Sequence, residues 1–155
     1  LKKSPLSVNE VVTEAVKDFT STLQDYPLQI EFEEDPRSPI CSLAPLEFEL
    51  AVFNLLKNAK EALKAQKADE PKVFIKISSG ETHCFVDISD NGAVISDSDF
   101  ERMASVFKSG KASGLGIGLS IVRSIVQNHN GSLVLERGKN GGLVCRIRLP
   151  IFNAE

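Results

Sequence analysis

Gly114-Leu115-Gly116-Ile117-Gly118-Leu119 sets three glycines at alternate positions, and Ser120-Ile121-Val122-Arg123-Ser124-Ile125-Val126 follows at once with helical apolar spacing. Glycine reaches positive φ freely and has no side chain, so such a run lets backbone N–H groups close on an anion at the mouth of a helix. The partial positive charge of the helix start adds to that attraction. Two familiar phosphate motifs are excluded by spacing. A dinucleotide fingerprint needs G-x-G-x-x-G directly after a strand, whereas this run reads G-x-G-x-G and follows the polar segment Lys108-Ser109-Gly110-Lys111-Ala112-Ser113. A P-loop needs G-x-x-x-x-G-K-[ST]; around Gly110-Lys111, Ser105 stands where the first glycine belongs and Ala112 where the hydroxyl belongs.

The surrounding chain has 155 residues, 42% hydrophobic and 25% charged, which suits one globular domain with a substantial core. A formal net charge of −3 speaks against a nucleic-acid footprint or a basic membrane-binding surface. No apolar run approaches the length of a membrane span. Cys41, Cys84 and Cys145 are odd in number and scattered, so they read as small apolar residues in a reducing compartment. His83 and His129 lack ligand spacing to each other or to cysteine, which argues against zinc.

Working outward, Leu6, Val8, Val11, Val12, Ala15, Val16, Phe19 and Leu23 predict a helix from Ser7 to about Leu23, with Ser7 and Glu10 as a capping box. Leu28 to Glu33 alternates as a half-exposed strand, and a proline-bearing connection leads from Asp35 through Ile40-Cys41. A long helix is expected from about Pro45 to Gln66, with proline suited to the first turn. Strands at 72–78 and 82–89, a short helix at about 98–107, the glycine run and a helix to about His129 come next. Ser132 to Arg137 and Leu143 to Leu149 close as a hairpin. The order predicts a two-layer α/β (α+β) sandwich, a mixed, mostly antiparallel sheet with helices on one face.

On the long helix Asn54, Asn58 and Glu61 recur at i, i+4 and i+7 as one polar stripe. Asparagine is a mediocre helix former, so the pair either bonds neighbouring loops or supplies amide oxygens, hard ligands of the kind magnesium accepts while it bridges phosphates. Asp90-Asn91-Gly92 ends a predicted strand. It reads either as turn chemistry or as a carboxylate accepting a hydrogen bond from an adenine amino group, with Gly92 letting the backbone pass close to the ring.

Together, Asn54-Leu-Leu-Lys-Asn58-Ala-Lys-Glu-Ala62, Asp90-Asn91-Gly92, Phe107 and Gly114-Leu-Gly116-Ile-Gly118-Leu resemble, in order, the N, G1, F and G2 boxes of the GHKL ATPase superfamily. The likeness is to the catalytic, ATP-binding domain of bacterial two-component sensor histidine kinases, and it runs from about Leu6 to Pro150. The resemblance implies a Bergerat-type ATP-binding fold with ATP and Mg²⁺ as ligands. It makes Asn58 the main magnesium ligand with Asn54 beside it, and these two the catalytic pair. Asp90 would recognise the adenine amine. Glu61, Gly92, Lys111, Gly114, Leu115, Gly116, Gly118 and Leu119 would complete the nucleotide site, and Phe107 would pack under the lid or against a partner domain. Two departures stand out: Val94 replaces the second glycine of the family's D-x-G-x-G, and only six residues separate Phe107 from Gly114, a short lid.

Residues 1–6 are expected to be a linker tail, 7–152 the catalytic domain and 153–155 a C-terminal tail. In this family the phosphorylated histidine lies on a separate dimerisation domain, and neither His83, in a predicted strand, nor His129, at a helix end, suits that role. The expected partners are that phosphoacceptor domain and, indirectly, a response regulator, with no nucleic acid and no direct membrane contact. The expected location is cytoplasmic, within a longer parent that is free to be membrane-anchored. Two further readings compete. One is a pseudokinase with weak or no nucleotide binding that transmits conformation. The other is a hydrolase of the gyrase, chaperone or mismatch-repair kind, disfavoured because Asn54 replaces the glutamate base and an amide cannot take a proton from water.

Overall fold

A computed structural model describes residues 2–109 and 117–153. The first helix, α1 (Val8–Thr20), starts where Ser7 Oγ accepts the Glu10 N–H at 3.4 Å, half of the expected capping box. Such a cap contributes about 1 kcal/mol. The helix stops at Thr20 rather than Leu23, and the chain leaves through successive turns bonded Thr22 N–H to Phe19 O and Leu23 N–H to Thr20 O. Its apolar stripe of Val8, Val11, Val12, Ala15 and Phe19 is buried. It packs beside α2 (Pro45–Ala65), where Phe19 meets Phe53 edge-on with centroids 5.6 Å apart.

The main sheet has five strands, β2 (Gln29–Glu33), β4 (Lys72–Ser79), β5 (His83–Asp90), β6 (Ser132–Arg137) and β7 (Leu143–Pro150), in the order β2-β4-β5-β7-β6. Only the β2–β4 pair is parallel, so the sheet is mixed and mostly antiparallel as expected. Val73, Ile75 and Ile77 of β4 and Cys84, Val86 and Ile88 of β5 point into one core with the helices. The alternate residues face outward, where Arg146 holds Asp87 through two bonds of 2.7 and 2.9 Å. α4 (Ile117–Asn128) lies beside α2, and α3 (Asp97–Ser109) covers the β6 edge.

A second, small sheet departs from expectation. Ser4–Ser7, read as mostly linker, form β1 and pair antiparallel with β3 (Ile40–Leu43), read as connection. Ile151 bridges Cys41, and Phe152 N–H reaches Ile40 O at 2.8 Å. Four-residue strands carry too little periodicity to be read locally.

Two polar groups brace the helical layer. His129 is buried at the end of α4; its Nε2 accepts the Ala44 N–H at 3.0 Å, leaving Nδ1 to donate to Ile125 O at 2.8 Å. This ring serves at the start of α2, where Ala44 offers no side-chain cap of its own. Asp35 is also buried, and Asn9 clasps its backbone from α1. Burial by itself would raise the Asp35 carboxyl, but donors from Ser79 and Arg37 and the Arg37 charge hold it below the ordinary aspartate value.

Candidate functional site

A pocket with about 700 Å³ of empty space, counted to its open mouth, lies where α2, β5, β7 and α3 converge. Leu55, Ala59 and Ala62 of α2 form one apolar wall. Ile95, Met103 and Phe107 line it from the α3 side, and Ile88, Leu143 and Cys145 from the sheet. Small residues on α2 keep a slot open. Apolar walls with few polar groups suit the faces of a planar ring.

Asp90, the last residue of β5, is the carboxylate of this pocket. Its Oδ1 accepts Gly92 N–H at 2.8 Å and its Oδ2 accepts Leu143 N–H at 3.4 Å. Two backbone donors fix the carboxylate plane and leave each oxygen able to accept again. Burial pushes the Asp90 carboxyl up, and those two bonds oppose the rise. Against it packs the β6–β7 turn. Gly142 has φ +71°, and a Cβ there would stand 2.5 Å from Asp90 Oδ1. Only glycine lets this turn lie against the carboxylate.

Asn58 lies on the α2 wall, and its amide bonds to none of the described residues. Asn54 sits one turn earlier and donates Nδ2–H to Leu50 O at 2.9 Å, so its oxygen remains free to accept. Glu61 is exposed and does not line the pocket. Gly92 is buried beside Asp90. Phe107 is both a pocket wall and part of a small cluster with Val106 and Leu119. Leu119 is therefore buried in that cluster rather than on the pocket surface. Gly118 belongs to the first turn of α4. Lys111, Gly114, Leu115 and Gly116, and with them the expected lid, lie outside the described residues.

Val94 is 82% exposed, does not enter the left-handed region and does not line the pocket. The chain passes this position without glycine, so the substitution leaves the described pocket unobstructed. Neither histidine approaches the pocket: His83 bonds Thr82 Oγ1 at 2.8 Å on the sheet, and His129 is committed to Ala44.

Several lining residues escaped sequence reasoning. Gln66, the C-cap of α2, accepts Ala93 N–H through Oε1 at 2.8 Å and borders the pocket. Ile95, Met103 and Cys145 join only through tertiary packing. Burial, reinforced by the neighbouring Asp90 charge, pushes the Cys145 thiol up to about 12, so it stays protonated as an apolar wall. The Gly141-Gly142 pair was visible as a hairpin loop, but its position against Asp90 follows from the β5–β7 register, Ser89 opposite Val144.

Residues 44–153 match the family described as histidine kinase-, DNA gyrase B-, and HSP90-like ATPase. The chain belongs to this family. The matched span runs from the cap of α2 through β7 and so contains every pocket-lining residue. Among curated relatives of this ATPase domain, the sensor protein FixL of Bradyrhizobium diazoefficiens is 28% identical over 144 residues, 93% of this chain and 28% of its own. The sensor protein TdiS of Thauera aromatica is 26% identical over 152 residues, 97% of this chain and 28% of its own. The chain thus spans less than a third of the length of these relatives. Among solved structures, the catalytic domain of histidine kinase ThkA superposes with a TM-score of 0.81 at 23% identity, covering 97% of each chain, a likeness of fold. The histidine kinase domain of the E. coli osmosensor EnvZ gives 0.72 at 26% identity, covering 100% of this chain and 92% of that one. Among the described residues, no helix is long and apolar enough to cross a membrane.

Proposed function

We propose that this chain binds ATP with magnesium in the α2–sheet pocket and delivers the γ-phosphoryl group to a histidine on a separate phosphoacceptor domain, as part of a two-component sensor kinase. The observation that carries this reading is Asp90. It is a part-buried carboxylate, oriented by two backbone donors, at the end of an apolar slot in a chain of an ATPase family. An ionised carboxylate is acceptor-only, which suits the exocyclic amine of adenine.

The donor set also fits magnesium in one specific mode. Among the described residues, no group of three His, Cys, Asp or Glu side chains is placed to hold a metal by itself. A neutral amide oxygen such as that of Asn58 instead adds one ligand to a shell otherwise made by phosphates and water. When bound, magnesium neutralises phosphate charge. The chain's own groups then act by placement: Asp90 orients the base, the apolar walls exclude water, and Asn58 with Asn54 sets the phosphate end. Asn54 cannot act as a base toward water, which favours transfer to a protein acceptor over hydrolysis. Glu61, exposed and outside the pocket lining, is left to the phosphate end or to solvent. Lys111 and the glycine run are proposed to contact the phosphates. The partner histidine and a response regulator complete the scheme; ThkA has been solved in complex with the response regulator TrrA.

Calorimetric titration with ATP and ADP, with and without magnesium, tests the reading, followed by transfer of label to the parent protein's acceptor domain. Saturable, magnesium-strengthened binding and label on the acceptor domain are expected. No binding at millimolar nucleotide refutes the proposal.

A further inference from the structure

A second polar group with a fixed orientation, the exposed Gln66, borders the pocket alongside Asp90. Gln66 ends α2, and its backbone N–H is tied to Ala62 O and Lys64 O. Its side-chain Oε1 accepts the Ala93 N–H at 2.8 Å. A backbone N–H can only donate, so this bond identifies the amide oxygen and excludes the flipped orientation. The amide nitrogen is thereby left as the free end, and it bonds to none of the described residues.

The location of that nitrogen is given by Gly92. The point where a Cβ would stand on Gly92 is 2.7 Å from Asp90 Oδ1, 2.8 Å from Gln66 Oε1 and 3.3 Å from Gln66 Nε2. Asp90 and the Gln66 amide thus flank the same side of Gly92 at the pocket, so close that a Cβ there would collide with both. One group is a pure acceptor and the other presents a free N–H₂ donor. Adenine's Watson–Crick edge carries the complementary pair, an exocyclic amine that donates and a ring N1 that accepts. Guanine carries the reverse, a carbonyl that accepts and an N1–H that donates. Reading a base by such an edge pattern is a general device.

We infer that Gln66 is a specificity-determining residue: its amide N–H₂ donates to adenine N1 while Asp90 accepts from the amine, so that the two together select adenine over guanine nucleotides. This rests on the reading of the pocket as an ATP site. The bond between Gln66 and Ala93 makes the donor available before the ligand arrives, which removes the ordering cost a free glutamine would bear.

The test pairs a ligand change with a residue change, so that general effects of either cancel. ADP and 1-deaza-ADP, in which N1 is replaced by C–H, are titrated into the wild-type chain, Gln66→Glu and Gln66→Met. Gln66→Glu keeps an oxygen for Ala93 N–H but removes the donor; Gln66→Met removes both and adds no charge. The wild type should bind ADP about tenfold more tightly than 1-deaza-ADP, the upper end of what one hydrogen bond between neutral groups contributes. In Gln66→Met that ratio should fall to within twofold of one, and in Gln66→Glu to one or below, because a carboxylate would then face the N1 lone pair, whatever happens to absolute affinity. GDP should bind the wild type at least tenfold more weakly than ADP. A ratio that stays near tenfold in either variant overturns the role of Gln66, because another group must then read N1. Failure of the wild type to bind ADP at all overturns the ATP reading itself, an outcome distinct from an unchanged ratio.

Discussion

Replacing Asp90 with asparagine tests the proposed base recognition at the group that carries it. The carboxylate accepts Gly92 N–H at 2.8 Å and Leu143 N–H at 3.4 Å. Asparagine has one oxygen, and the shorter bond will claim it for Gly92. Its N–H₂ must then face Leu143 N–H, donor against donor, and the adenine amine is left with one uncharged oxygen already shared with Gly92. A lost hydrogen bond to a charged acceptor costs about 1.5–3 kcal/mol, or about ten- to hundredfold in Kd. Fold stability should move in a different way. Burial raises the Asp90 carboxyl above its unfolded value, so the folded state holds its proton more tightly. The associated stability is fully present below the unfolded pKa and lost as pH rises through the folded one. At neutral pH the ionised carboxylate is therefore a burden on the fold, and removing its charge offsets part of the cost of setting the variant's amide N–H₂ against Leu143 N–H. Calorimetry with ADP alongside thermal unfolding should show affinity lost at least tenfold with the cooperative transition retained. ADP affinity within twofold of wild type, in a folded variant, would refute the reasoning.

The same carboxylate predicts that ADP affinity is full above the raised Asp90 pKa and declines as pH falls through it; affinity independent of pH from 7 down to the onset of acid unfolding would argue against it. Val94→Gly should leave nucleotide Kd within twofold, because Val94 is exposed and outside the pocket, while destabilising the fold by about 0.5–1 kcal/mol through unfolded-state entropy. Tighter binding in that variant would revive the pseudokinase reading. Asn58→Ala should abolish the magnesium-dependent part of ATP binding and with it label transfer to the acceptor domain; transfer at full rate would remove Asn58 from the metal while sparing the kinase assignment. Ser79→Ala should raise the acid-unfolding midpoint in pH. The folded Asp35 pKa is lowered, so its stabilisation is present above the unfolded value and lost as pH falls through the folded one, and losing the Ser79 donor brings that loss to higher pH.

The long elements were readable because each repeats its pattern over several turns or pleats. α2 was expected from Pro45 to Gln66 and spans Pro45–Ala65 with Gln66 as its C-cap. β4 and β5 alternate over eight residues each, and their buried sets match the apolar positions of the sequence. The strands that were missed, β1 and β3, have four residues apiece and hold together by pairing that is long-range in the chain, from Ser7 with Ile40 to Ser4 with Leu43, where no local pattern points. His129 shows the same limit. A histidine before Asn130-Gly131 looks like a helix end, and nothing nearby reveals that its ring caps α2 at Ala44.

By itself the sequence determined the identity of the chemistry: which residues are acceptors, which are amides, where glycine permits close approach, and in what order the boxes fall. Those properties are carried by residue type and short spacing, which folding does not alter. The tertiary structure alone decided which of those residues share a volume. The β5–β7 register lays Gly142 against Asp90, the end of α2 brings Gln66 to Ala93, and packing buries Leu119 while turning Val94 outward. A side chain's partners across the pocket are fixed by the register of strands and the packing of helices, whose contacts are long-range in the chain and leave no periodic mark on either partner.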